Sequence, residues 1–153
     1  MICPKCGGTI RQTEPCDRCR ITYEEMISGI RHDEMRKLFK KMMELEASHR
    51  STDIEESILA ADLAGSSLLI GARVVDDKLQ VLSLRDSKKR EYILLFTDKN
   101  EYDKKETDIK PMTNPFSVIL DLLEDTYEGF VINVDSEACI INRPFLERYF
   151  LEN

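Results

Sequence analysis

At 153 residues and 17.7 kDa, with 42% apolar residues, the chain has material for one domain core plus a small appendage, which excludes a disordered protein. Its net charge of −7 is unevenly spread: residues 1–22 carry +2, residues 23–50 balance, and residues 51–153 carry −9, so the body repels polyanions. No run of eighteen apolar residues occurs, and Met1 leads into Cys3 and Pro4 without a charged and then apolar leader, so a soluble cytoplasmic protein with no membrane partner is expected.

Four of the five cysteines, Cys3, Cys6, Cys16 and Cys19, form two CxxC pairs with nine residues between them. In a reducing compartment this spacing reads as thiolate metal ligands rather than as a disulfide framework. A CxxC turn presents two sulfurs on one side of a tight bend, and two such turns complete the closed tetrahedron that zinc favours. Pro4 stiffens the first bend, while Gly7 and Gly8 permit the positive φ and close backbone approach needed after the second ligand. Cys3-Pro-Lys-Cys-Gly7 thus resembles the first knuckle of the zinc ribbons, and in the second pair Arg20 stands where a ribbon often has glycine. One structural Zn²⁺ is expected, with no position left for water or substrate. Iron in a rubredoxin-like site and redox-active thiols are the other chemistries open to these residues. Thr9 to Glu14 has room for a short hairpin only, and a tetrathiolate zinc adds −2 that cancels the formal basic excess around it.

Thr22-Tyr-Glu-Glu25 is a capping box and predicts a helix start. Apolar residues then recur at Tyr23, Ile27, Ile30, Met35, Leu38, Phe39, Met42, Met43 and Leu45, so residues 23–50 form an amphipathic connecting segment, with Gly29 and His32-Asp33-Glu34 marking a kink or a division into two helices. Met35, Met42 and Met43 around Phe39 are expected to pack on the rest of the chain. Left exposed, the Met35 to Leu45 stripe would suit a partner helix or a homodimer. His32 and His49 read as solvated, and Ser48 to Ser51 as a short polar hinge.

In the body, residues 51–153, a second box at Thr52-Asp-Ile-Glu55 predicts a helix with Ile54, Ile58, Leu59 and Leu63 inward and an end near Gly65. Three strands follow, Ser67 to Val75, Leu79 to Leu84 and Glu91 to Phe96, with turns at Asp76-Asp77 and Asp86 to Arg90, as in an antiparallel meander. Asp98 caps a short helix with Glu101 completing a third box, and the charged run to Lys110 reads as solvated surface. A helix from Asn114 to Leu123, a hairpin of Gly129 to Val134 with Ala138 to Ile141, and a last helix opened by Asn142 and Pro144 complete the order.

That order, with Leu95-Phe96-Thr97-Asp98 at a strand-to-helix corner and Gly129-Phe130-Val131-Ile132-Asn133 entering the final hairpin, resembles the N-terminal domain of the SseB family, over about 100 of the residues. The resemblance implies an α+β domain with a mainly antiparallel sheet and supplies almost no mechanism. The body holds no histidine, no phosphate cradle and no nucleophile with a base. Asp121, Glu124 and Asp125 read as a solvated helix face, Cys139 as a small core side chain, and Lys88-Lys89-Arg90 as a solubilising turn. The sequence therefore predicts a noncatalytic zinc-ribbon protein acting as a protein-interaction or regulatory module, with another protein as its partner. The alternative is a nucleic-acid accessory contacting phosphates through Lys5, Arg11, Arg18 and Arg20.

Overall fold

The computed structural model describes residues 1–151. Thr22 caps α1 (Tyr23–Gly29) through the expected box, its hydroxyl accepting from the Glu25 amide while the Glu25 carboxylate accepts from the Thr22 amide. The polar interruption divides the connecting segment, and α2 (Asp33–Ala47) is a separate helix that buries Met35, Phe39 and Met42 within the chain and leaves Met43 half exposed. His32 is more than solvated: its Nε2 lies 2.6 Å from the Ser67 carbonyl oxygen and ties the start of α2 to the sheet.

In α3 (Asp53–Ala64) the second box does not form. Thr52 is not extended and makes no side-chain capping bond, and the Ser51 hydroxyl accepts from the Asp53 amide instead. Ile54 and Ile58 also do not face inward, being 72% and 47% exposed. The buried line runs Glu55, Leu59 and Leu63, and the two isoleucines sit one residue, about 100°, around the helix from it.

One seven-stranded sheet contains β1 (Ser67–Val75), β2 (Lys78–Val81), β3 (Ser83–Arg85), β4 (Glu91–Phe96), β5 (Pro111–Pro115), β6 (Tyr127–Ile132) and β7 (Cys139–Ile141), in the order β2-β1-β4-β6-β7 with β3 on β4 and β5 on β1. The simple meander is not what forms. Residues 79–84 break at Leu82, whose amide donates to the Gly71 carbonyl (2.8 Å) and whose carbonyl accepts from the Leu94 amide (3.0 Å). β2 therefore follows β1, β3 follows β4, and β1 meets β4 directly at Leu69–Phe96 and Ile70–Leu95. β4 and β6 run parallel, whereas the other pairs are antiparallel. β5, bounded by Pro111 and Pro115, lies along β1 where the strand-hostile ring is tolerated at its ends.

Three short helices complete the chain. α4 (Lys99–Asp103) is capped by Asp98, which accepts from the Glu101 amide, but Glu101 does not close the box because its side chain points elsewhere. The helix expected from Asn114 starts only at Phe116: α5 (Phe116–Ile119) runs into a 3-10 turn ending at Leu122, so Glu124 and Asp125 are exposed loop residues beyond it. α6 (Arg143–Tyr149) is capped by Asn142, with proline in its first turn as predicted.

Strand alternation sends the core to both faces of the sheet. Leu68, Ile70, Ile93, Leu95, Phe130 and Ile132 meet a helix layer that contributes Phe39, Leu59, Leu63, Phe116 and Leu146. Leu69, Tyr92, Leu94, Phe96 and Val131 face the other way and meet Met26, Ile27 and Ile30 of the α1 region, Tyr102 of α4, and Cys3, Ile10 and Cys16 of the N-terminal segment. Each such side chain, fully buried, contributes about 1.5–3 kcal/mol. The architecture is α+β, and among the described residues no helix is long and apolar enough to cross a membrane.

Candidate metal centre

The N-terminal segment folds as two turns of the same design. In the first, the Cys3 amide donates to the Gly8 carbonyl (2.8 Å) and the Gly7 amide to the Cys3 carbonyl (2.9 Å). In the second, thirteen residues on, the Cys16 amide donates to the Ile21 carbonyl (2.9 Å) and the Arg20 amide to the Cys16 carbonyl (3.1 Å). Both turns need a left-handed residue after the second cysteine. Gly7 supplies it with φ +78°, and Arg20 adopts it with φ +64° despite its side chain. Gly8 lets the two turns approach closely, since a Cβ there would stand 2.5 Å from Asp17 Oδ1 and 3.0 Å from Cys16 Sγ and would push the Asp17 side chain aside. A single bridge pairs Ile2 with Thr9, and from Thr9 the chain turns back on itself, the Arg11 amide donating to the Glu14 carbonyl (3.4 Å) and the Asp17 amide to the Thr9 carbonyl (3.1 Å), without forming strands.

These turns bring Cys3, Cys6, Cys16 and Cys19 together, all four Sγ atoms lying within 4.8 Å of one another. Cys3 and Cys19 are 3.6 Å apart across the ring and Cys6 and Cys16 3.4 Å, too long for disulfides. A Zn–S bond of about 2.3 Å implies a tetrahedral S···S edge of about 3.8 Å, so the ring has the size and donor set for one tetrahedrally held ion. Four thiolates at this spacing repel one another strongly, and without a cation they share protons unevenly. The Cys16 thiol is lowered to about 6, first by the Arg18 amide, with the Cys19 amide and the Cys6 and Cys19 thiols assisting against burial. Cys19, despite the Ile21 amide that favours its thiolate, is raised to about 11 by burial and by the other three thiols. The Gly8 amide, 3.4 Å from Cys6 Sγ, adds a backbone donor to the ring. Cys139 is elsewhere, buried on the helix side of the sheet and pushed up to about 12 by burial and then by Glu46 and Glu56.

The thiol ring is seated on the sheet. Ile10, completely buried, and the buried Cys3 and Cys16 share one core with Tyr92, Leu94, Phe96 and Val131. The Ile2 amide donates to Asn114 Oδ1 (3.2 Å), and the Tyr23 and Tyr102 hydroxyls donate to the carbonyls of Pro111 and Ile109, fastening the segment before and at β5. Burial is the main reason both phenols are pushed up to about 12. Lys5, Arg11, Arg18 and Arg20 are all exposed around the ring, as are Glu14 and Asp17.

A second polar cluster was not legible from residue types. Arg36 of α2 reaches the C-terminal ends of β4 and β6, where its guanidinium bonds Glu137 (2.5 Å), Glu101 (2.8 Å) and Asp98 (3.3 Å). Glu101, 2% exposed, also accepts from Lys104 Nζ (2.8 Å) and Ser136 Oγ (2.7 Å). The Glu137 hydrogen bond, before any other effect, raises Arg36, and the same bond holds the Glu137 carboxyl below its usual range. Beside this cluster, the Thr97 amide donates to Asn133 Oδ1 and Asn133 Nδ2 to Thr97 Oγ1, both residues fully buried, with Asn133 left-handed at φ +56°. The two short motifs that carry the family resemblance therefore meet in space. The one sequence signal for Arg36 is its place beside Met35 on the inward stripe of α2. With every oxygen of the cluster paired inside the chain, its chemistry is that of an internal clamp.

A family model described as SseB protein N-terminal domain matches residues 41–148, from the last turns of α2 to α6. No curated protein and no solved structure matches the chain significantly. The thiol ring, α1 and Arg36 all lie before the matched range.

Proposed function

The chain belongs to the family of the SseB protein N-terminal domain, and from that membership and its thiol ring we propose that it is a noncatalytic interaction or regulatory protein whose N-terminal knuckle holds one structural zinc ion. The observation that carries this reading is the ring itself. Four sulfurs satisfy all four positions of tetrahedral zinc, so the ion supplies folding free energy rather than a site for water or substrate. A reducing, cytoplasmic setting keeps Cys3, Cys6, Cys16 and Cys19 available as thiolates. The ion's role is to fix residues 1–22 on the sheet, leaving the exposed shell of the knuckle as a reading surface.

Elemental analysis of protein purified in reducing buffer tests the metal half, with one zinc per chain expected and none after Cys3→Ser with Cys16→Ser. The partner half is tested by affinity capture with and without nuclease. Deleting residues 1–22 would uncover apolar sheet residues such as Leu94 and Phe96, so exposed knuckle charges are the cleaner probe. Protein partners that survive nuclease and are lost on Lys5→Glu, Arg11→Glu and Arg18→Glu together support the reading. Partners released by nuclease, with affinity falling steeply in salt, would replace it with a nucleic-acid accessory.

A further inference from the structure

Between α2, α3, α6 and the last strand lies a groove of about 280 Å³ in which apolar side chains are mixed with polar groups. Its floor is Phe39, Met42, Leu59 and Phe145, each 9% exposed or less, and one wall is β7 itself. β7 pairs with β6 along one side, and among the described residues no strand covers the other. Its alternation is also informative. Cys139 and Ile141 are buried toward the helix layer, whereas Ile140 on the opposite face is 60% exposed, and Met43 at the groove mouth is 50% exposed. The helix layer thus overhangs the sheet beyond its last strand, leaving a position where one more strand would drop alternate side chains into the groove and lay the others beside Ile140.

The charges on the groove select what that strand carries. The acids Glu46 of α2 and Glu56 of α3 line it, and no Lys or Arg does. Burial and then the neighbouring Asp53 disfavour the Glu56 carboxylate, with Glu46 adding to this, while Arg148 acts the other way from its position toward Asp53. Arg148 is drawn to Asp53 and does not line the groove, so among the described residues neither acid has a cation within salt-bridge distance, and a basic ligand relieves the pair where an acidic one worsens it.

We propose that the free edge of β7 and the groove beside it dock an extended segment of a partner protein in which apolar side chains are flanked by lysine or arginine. The segment adds to β7 as an edge strand, its apolar side chains entering beside Met42 and Phe145 and its cations pairing with Glu46 and Glu56. This inference names a partner chemistry for the interaction reading above and is independent of the metal, because every groove residue lies outside the knuckle.

The test is an amide and methyl NMR titration of the full zinc-loaded chain with the peptide acetyl-Lys-Val-Leu-Val-Lys-amide, against its counterpart with glutamate in place of lysine. The basic peptide is expected to shift residues 138–142 and the methyls of Met42 and Met43 saturably, binding at least fivefold more tightly than the acidic one. Glu46→Gln with Glu56→Gln should erase that preference, and Met43→Lys, at an exposed position that folding tolerates, should weaken the basic peptide alone. Equal binding of both peptides, or shifts that avoid residues 138–142, would overturn the proposal. So would concentration-dependent broadening at β7 without peptide, which would assign the edge to a second copy of this chain. Failure here leaves the zinc stoichiometry and the capture experiment unaffected, so the two readings fall separately.

Discussion

Phe130 and Ile132 of β6 point toward helices of 12 and 15 residues, while Val131 between them points toward a segment with one isolated β-bridge and a ring of sulfurs. The two faces of the sheet are buried to similar depth by unlike means. On the helix side, α2 and α3 satisfy their backbone internally and present apolar stripes, so burial and secondary structure reinforce each other. On the knuckle side, residues 1–22 are too few to bury a core of their own, and the turns at Gly7 and Arg20 are closed by backbone hydrogen bonds that gather the four sulfurs. On the proposed zinc reading, the second face is a metal-dependent cover on a sheet whose first face is built by helices. The buried part of that cover, except Tyr102, lies before the family-matched range.

The largest effect that breaks the comparison is loss of the ion. Cys3→Ser with Cys16→Ser forfeits a metal-binding free energy on the order of 10–16 kcal/mol. The expected result, read by elemental analysis and dye binding, is zero zinc and new exposed apolar surface, with the helices α2 and α3 retained. A paired substitution sharpens the difference. Phe130→Ala and Phe96→Ala should each cost about 3–5 kcal/mol in urea melts of the zinc-loaded protein. After chelation the Phe96→Ala cost should collapse while that of Phe130→Ala persists. Equal costs in both forms would mean that the faces are not independent.

Arg36→Met comes next, since it strands Asp98, Glu101 and Glu137 without their guanidinium and should cost about 3 kcal/mol. Glu137 is held below its usual value by Arg36, so its share of stability is fully present above the unfolded carboxyl value and is lost as pH falls through the lower folded value. Stability of the parent chain should therefore drop below pH 4.5, and Arg36→Met should flatten that part of the curve. The smallest effect is Arg20→Gly, which relieves the left-handed arginine and should stabilise the knuckle by at most about 1 kcal/mol, read as a slower loss of zinc to chelator.

What the sequence made legible follows the range of the interaction. Thr22, Asp98 and Asn142 cap helices as read, because a cap is settled within four residues. Thr52 carries the same local signal and fails: its backbone is not extended, and the neighbouring Ser51 hydroxyl takes the Asp53 amide instead. β5 was hidden by its prolines, and the break at Leu82 by an alternation that continues through it, for two different neighbours claim its amide and its carbonyl. The thiol ring was legible from spacing alone. Its seat beneath Ile10, and the reach of Arg36 to Glu137 some hundred residues away, depend on long-range packing that no local period encodes.

The most direct test of the metal-dependent cover is hydrogen exchange of the full chain before and after chelation, with metal content measured on the same samples. The account predicts that once zinc is gone, residues 1–30 lose protection and the strand segment 92–96 exchanges faster, while α3 and the helix-facing core around Phe116 and Leu146 remain protected. Unchanged protection of residues 1–30 in protein shown to be free of metal would contradict it.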